Sequence, residues 1–464
     1  LYTPIFYVIR NLLMEYPLTR NWLVEAKQPG HLMIIGCTGL SEELILQASL
    51  TSHFPNVSRL LIYILGKDAD AWWEGVLSRH SGLADICEFT VISADPEISS
   101  FSPIKAVQDA TKRASLTGIY LCLTDSAVNW KLALALYGIG QEVSSNSLFI
   151  PTYVYSANMS SIAESLHSGS FVLPGLSMLV PFGDGHVEQS VDIFLDNKGE
   201  QLAIAVHEGY LSDLASGNLP ITGREAAKGW DLLNERSKAS CRQVADHFAI
   251  KLRSIRCRAV PAGKSLKPPF FFTADEIERL AEAEHRRWMS ERLISGWRYG
   301  PQRDNALKIH PDLVPYDRLS DGSRKQDRGM IRRIPEQYAA AGFAIVRDHI
   351  IGLILSPEID DESARLFATQ LLGNIIRRCH QHTVVVCSLR QEAECRIIGT
   401  VLEEGNISLW VVTPTLSVLG SEQSALNLLA RAERCLDLSV AGLWHETTTD
   451  LSAIYLGMCD EVMQ

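Results

Sequence analysis

The sequence predicts a multidomain α/β protein with a helical middle. Three observations carry this. Over residues 31–185, short apolar runs alternate with helical segments, the pattern of a doubly wound parallel sheet. From Ala226 to Phe343 the chain becomes helical and basic. From residue 344 the strand–helix alternation returns. At 464 residues there is room for about three domains of roughly 150 residues. The divisions are a linker or juxtamembrane helix over 1–30, a Rossmann-like domain over 31–185 and a connecting helix over 186–225. A helical ligand-binding domain follows over 226–343 and an α/β Rossmannoid domain over 344–464.

The strands of the first domain are read at His31–Ile35, Arg59–Leu65, Glu88–Ser93, Ile119–Leu123 and Thr152–Tyr155. The Gly- and Pro-rich stretch Pro174–Gly185 closes it. After the first strand comes Gly36-Cys37-Thr38-Gly39-Leu40-Ser41, with Ser41, Glu42 and Glu43 opening a helix. In the dinucleotide frame Gly36 keeps the first glycine position, while Thr38 and Ser41 replace the second and third. A side chain at the second position obstructs the approach of a pyrophosphate. Gly36 and Gly39 are the candidate cofactor-binding residues; the alternative is a fold kept as a scaffold or dimerisation module. This domain resembles the TrkA-N type found with potassium channels.

Composition excludes some partners. A net charge of −11 argues against broad DNA binding, which needs a basic surface. The ten cysteines are scattered without metal-ligand spacing, so a reducing compartment, no disulfide framework and no structural zinc are expected. No apolar run reaches the roughly 18 residues of a membrane span. The opening LYTPIFYVIRNLLMEYPL reads either as an interfacial helix, with a membrane portion upstream of residue 1, or as a helix packed on the first domain.

The helical domain is organised around LAEAEHRRWMSERLISGWRYGPQRDNALKIHPDLVPY. A helix is predicted over Ala274–Ile294, stopped by Gly296. His285, Trp288 and Arg292 share one of its faces. Aromatic faces and guanidinium forks in one span suit a planar anion. An internal repeat offset by 86 residues surrounds this span. Trp230-Asp231-x-Leu233, Ser237-Lys238 and Arg242 mirror Tyr316-Asp317-x-Leu319, Ser323-Arg324 and Arg328.

EHRRW, GWRYGPQRDNALKIHPDLVPY and KQDRGMIRRIP resemble the RyR domain, the small repeated module of ryanodine receptors, which also follows TrkA-N domains in bacteria. The resemblance covers roughly Ala226–Phe343 and implies a compact helical sensor of nucleotides, not a catalyst. Trp297, then Tyr299, are expected to stack on a base, and Arg303 and Arg286 to meet phosphate. Trp288, His285 and His310 are further candidate contacts, each with a structural alternative. Trp230, Arg242 and Arg328 are expected to close the pocket from the two halves.

In the C-terminal part, strands are read at Ile350–Leu355, Thr383–Cys387, Ser408–Val412 and Val440–Trp444. Helices are read at Asp361–Cys379, Glu392–Glu404 and Leu426–Leu436. VVVCSLRQEAECRIIGTVLEEGNISLWVVTP resembles SLOG-type Rossmannoid domains, without their loop glycines. No hydrolase, zincin or P-loop motif occurs, and no catalytic or metal residue is assigned. The expected function is a cytoplasmic sensor of an adenine-containing nucleotide or nucleotide-derived second messenger. The resemblance places it in antiphage defence as a homo-oligomer, tethered to a membrane in the longer protein. The alternatives are an NAD- or nucleotide-processing enzyme and a ligand-free scaffold.

Overall fold

The computed structural model describes residues 4–18, 30–53, 59–98, 101–114, 116–140, 150–157, 179–183, 198–216, 227–262, 270–353, 361–366, 383–389, 391–402, 407–413 and some of 424–437. The Rossmann-like domain holds β1 (His31–Ile35), β2 (Leu61–Gly66), β3 (Glu88–Ser93), β4 (Gly118–Leu121), β5 (Thr152–Tyr155) and β6 (Leu179–Phe182). They form one sheet of six parallel strands in the order β3-β2-β1-β4-β5-β6. β1 is buried along its whole length, as a strand covered on both faces must be. Its alternate residues feed two cores. Leu32 and Ile34 pack with α1 (Pro4–Glu15), α2 (Gly39–Thr51), α3 (Ala69–Arg79) and α4 (Leu83–Ile86). Met33 and Ile35 pack with α5 (Pro103–Thr111) and α6 (Ser126–Gly140). The Gly- and Pro-rich stretch read as the end of the domain contributes β6. Pro181 is tolerated because β6 is an edge strand, where a missing N–H breaks no inner ladder.

α1 buries Val8, Ile9, Leu12 and Leu13 in the first of these cores. Apolar residues at i, i+1, i+4 and i+5 make one stripe, and it packs on α2. Among the described residues no helix is long and apolar enough to cross a membrane.

The helical module consists of α7 (Lys198–Ala215), α8 (Glu235–Ser254), β7 (Cys257–Pro261), α9 (Ala274–Ile294), β8 (Arg298–Tyr299), β9 (Ile309–His310), α10 (Asp321–Ala340) and β10 (Phe343–Arg347). Two expectations change here. The module is not all-helical, because β7 and β10 pair antiparallel from Cys257↔Arg347 to Pro261↔Phe343. The segment read as a connector, α7, places Ala203 and Val206 in the same core as Phe248, Leu280, Ile331 and Tyr338.

The repeat extends through the whole module. The 3-10 turns Trp230–Leu232 and Tyr316–Arg318, the helices α8 and α10, and the strands β7 and β10 each begin and end 86 residues apart. The first helices, α7 and α9, correspond with an offset of 78. His207 stacks on Tyr210 and bonds Lys228 O; His285 stacks on Trp288 and bonds Val314 O. Glu200 takes Arg242 and Glu278 takes Arg328, each in a two-pronged pair. The second copy therefore carries eight more residues between its first helix and its 3-10 turn, as His207 to Trp230 is 23 residues and His285 to Tyr316 is 31.

In the C-terminal domain β11 (His349–Gly352), β12 (Thr383–Cys387), β13 (Ile407–Thr413) and β14 (Arg434–Asp437) form a parallel sheet in that order. The helix α11 (Glu392–Val401) packs Ile397, Ile398 and Val401 against Val385, Leu409 and Val411. The expected helix over Leu426–Leu436 is cut short by β14. β14 pairs with β13 from Trp410↔Arg434 to Thr413↔Asp437, and this pairing wins over local helix propensity. The expected strand at Val440–Trp444 lies outside the described residues.

Candidate ligand site at the end of helix α9

Helix α9 is fixed at both ends. Thr273 Oγ1 accepts from Glu276 N at 3.2 Å, and the Glu276 carboxylate accepts from Thr273 N at 2.7 Å, a capping box. At the other end Gly296 takes φ +79. Gly296 N donates to Leu293 O and Trp297 N to Arg292 O, both at 2.9 Å, which makes a Schellman motif. That motif turns Trp297 back beside the last turn of the helix. β8 then pairs with β9, which returns His310 to the same place.

The result is a cluster of rings around one cation. The Arg292 guanidinium lies 5.2 Å from the Trp297 ring and 5.8 Å from the Trp288 ring. His310 meets Trp288 edge-on at 4.9 Å and Trp297 at 6.1 Å. Burial lowers the pKa of Arg292, helped by the charges of Arg236, Arg303 and Arg287, with Glu291 opposing. Burial and Arg303 likewise lower that of His310. Trp297 is only 8% exposed, and its indole N–H, like Arg292 Nε, is a buried donor without an acceptor among the described residues. A buried donor left unmatched costs free energy, and an anion at this place would relieve two of them.

The expected site residues divide. Trp297, Trp288 and His310 come together, with Arg303 on the adjoining loop. Trp297 sits deeper than a free stacking platform. Tyr299 is 60% exposed on β8 and stands outside the cluster. Arg303 is exposed and bonds Asn305. The others are held structurally. His285 is buried, with Nε2 on Val314 O at 2.8 Å and Nδ1 facing Asp327 at 3.4 Å, so both ring nitrogens are occupied. Arg286 pairs with Glu282 one turn earlier. Arg328 is held by Glu278 and Arg242 by Glu200, so each arginine fastens the second helix of its own copy to the first. Trp230 packs under Lys238 and Arg242 in the first copy.

Two features are missing from the sequence expectations. Arg292 shares the His285–Trp288 face but had no assigned role; its i+4 spacing from Trp288 was the available signal. The second feature is a buried charge network on the other side of α9. Lys251 Nζ donates to Glu284 at 2.6 Å and to His247 Nδ1 at 2.8 Å. Arg287 bonds Glu284 and Glu291. Burial opposes ionisation of Glu284, but Arg287 and Lys251 hold its pKa down to about 2. Burial pulls Lys251 down to about 8 against the attraction of Glu284. His53, at the end of α2, lies 6.3 Å from His247, so the network reaches the Rossmann-like domain.

The glycine turn of that domain is satisfied by its own residues. Gly36 has φ +121, and a Cβ there would come within 2.8 Å of the Cys122 carbonyl. Thr38 Oγ1 donates to Cys122 O at 2.9 Å and accepts from Ser41 N, and Ser41 Oγ donates to Gly36 O at 2.7 Å. A pyrophosphate would compete with Thr38 for the helix amide, and Cys37 Sγ fills the space above Gly66. Gly39 is open, with nothing within 4 Å of a Cβ built there. Among the described residues no group of His, Cys, Asp and Glu is arranged to hold a metal.

The ring-and-cation cluster therefore lies entirely within the second copy of the repeat, and the comparison with known families falls on the same segment: residues 273–347, from the cap of α9 to the last residue of β10, match the family model of the RyR domain.

Proposed function

We propose that the helical module binds a small planar anion, an adenine-containing nucleotide or nucleotide-derived second messenger, in the cluster of Trp288, Trp297, Arg292 and His310. The supporting observation is Arg292. It lies between two indoles, and no carboxylate pairs with it among the described residues. A base adds a third aromatic face to such a cluster, and a phosphate supplies the acceptor that Arg292 Nε and Trp297 Nε1 lack. The segment that matches the RyR-domain model contains this cluster.

In this reading the chain is the sensor part of a prokaryotic defence protein. The N-terminal domain is of TrkA-N type and the C-terminal domain of SLOG type, and both receive the signal. Binding changes their state only through unequal affinity for two conformations. Calorimetric titration with adenine nucleotides and cyclic oligonucleotides tests the site. Arg292→Gln and Trp297→Ala should each weaken binding by about 1–3 kcal/mol, the worth of a stacked base. Unchanged affinity in both variants, with folding checked by circular dichroism, removes the cluster from the site.

A further inference from the structure

The charge around Arg292 says more about the ligand than its presence does. Ser240, on α8 of the first copy, donates to Glu291 Oε1 at 2.9 Å and pins α8 against the last turn of α9. Arg236 lies one turn before Ser240 on the same face of α8, which brings it to the level of Arg292. Arg303 approaches from the loop after β8. Arg236 and Arg303 both add to the positive field at Arg292. The carboxylate beside them, Glu291, is already committed, with Oε2 on Arg287 at 3.0 Å and Oε1 on Ser240. Arg236 and Arg303 are exposed, and neither forms an ion pair among the described residues.

Resting on the nucleotide reading above, we infer that the site takes a ligand with two linked phosphates, a nucleoside diphosphate or its ester. Arg292 and Arg303 of the second copy take one phosphate, and Arg236 of the first copy takes the other. Arg236 and Arg303, from two other elements, set two further positive charges near the guanidinium that meets the rings. A single phosphate would leave at least one of them facing like charge. A diphosphate matches them and joins α8 to α9 across the two copies. The first copy has no such site of its own. With the 78-residue offset, Leu214 stands where Arg292 is, and the eight extra residues are absent.

The test is calorimetric titration of the full chain with ADP, AMP and inorganic pyrophosphate, repeated with Arg236→Gln. ADP should bind at least tenfold more tightly than AMP. Arg236→Gln should remove most of that difference, and thermal unfolding should show the exposed substitution to be harmless. Equal affinity for ADP and AMP in the natural chain, or a difference that survives Arg236→Gln, overturns the diphosphate assignment. Either result leaves the nucleotide site intact if Arg292→Gln still weakens AMP. Absence of any nucleotide binding overturns both.

Discussion

Lys251, Glu284 and Arg287 are each no more than 2% exposed, a costly place for three charges unless they satisfy one another. Here they do, and two neutral histidines complete the group. Burial keeps His53 neutral down to about pH 3, and burial with Lys251 lowers His247 well below its ordinary range. In the unfolded chain each imidazole takes up a proton near pH 6.5. The folded state then binds fewer protons, so stability falls as pH drops below 6.5, by about 1.4 kcal/mol per pH unit for each histidine. Urea denaturation at pH 7, 6 and 5 should show this slope, and His53→Gln or His247→Gln should flatten it. A slope unaffected by both substitutions would refute the assignment. None of this network was legible in the sequence. Glu284 and Arg287 sit in EAEHRRW among charges that look like a solvated helix face, and Lys251 is 33 residues away from its partner. Trp297 and Trp288 stand out in the sequence because they flank a helix-stopping glycine. That Arg286, Arg328 and Arg242 each pair with a carboxylate is not legible, since a sequence does not say whether a guanidinium has found one.

At the scale of elements, strand positions were the most readable. β1, β3, β5 and β12 lie at the expected residues; for β1, β5 and β12 the reason is that buried parallel strands are short apolar runs. α9 also lies at its expected bounds, with its cap and its terminal glycine both written in the sequence. α7 was assigned to a linker because its correspondence with α9 is hidden by the change of offset. The crossings of the two copies are also filled differently. Gly209 on α7 leaves room for Arg333 and Gln337, while the corresponding Arg287 on α9 bonds Glu284 and Glu291 of its own helix. The two readings of α1 make different predictions. Packed on the domain, it is held by Arg10, whose Nε donates to Asp246 on α8 at 2.8 Å. Asp246→Ala should cost about 1.5–3 kcal/mol, the range for a hydrogen bond to a charged group. Amide exchange across Pro4–Glu15 should accelerate in that variant, and unaltered exchange would show that α1 does not depend on the pair.

Across the whole molecule, the last turn of α9 belongs to two domains at once. Arg292 faces the ring cluster, while the next residues, Leu293 and Ile294, pack into the core beneath α2 and α4. Gly82 makes this approach possible, since a Cβ there would fall 2.2 Å from Leu293 O. Gly82→Ala should force the domains apart and cost about 1–3 kcal/mol, as overpacking does. It should also weaken nucleotide binding, because the displaced backbone carries Arg292. Lower thermal stability with unchanged nucleotide affinity would show that the site is insulated from the Rossmann-like domain.

The unequal lengths of the two copies bear on how such a module diversifies. Helices, 3-10 turns and the closing ribbon correspond between the copies, so the framework tolerates the shorter connection in one copy and the longer one in the other. On the nucleotide proposal, ligand preference resides in a short insertion and a few positions facing it, separable from what keeps the module folded. A change in the length or charge of that insertion gives selection, or a designer, a new specificity on an unchanged frame, with the shorter copy as its internal reference.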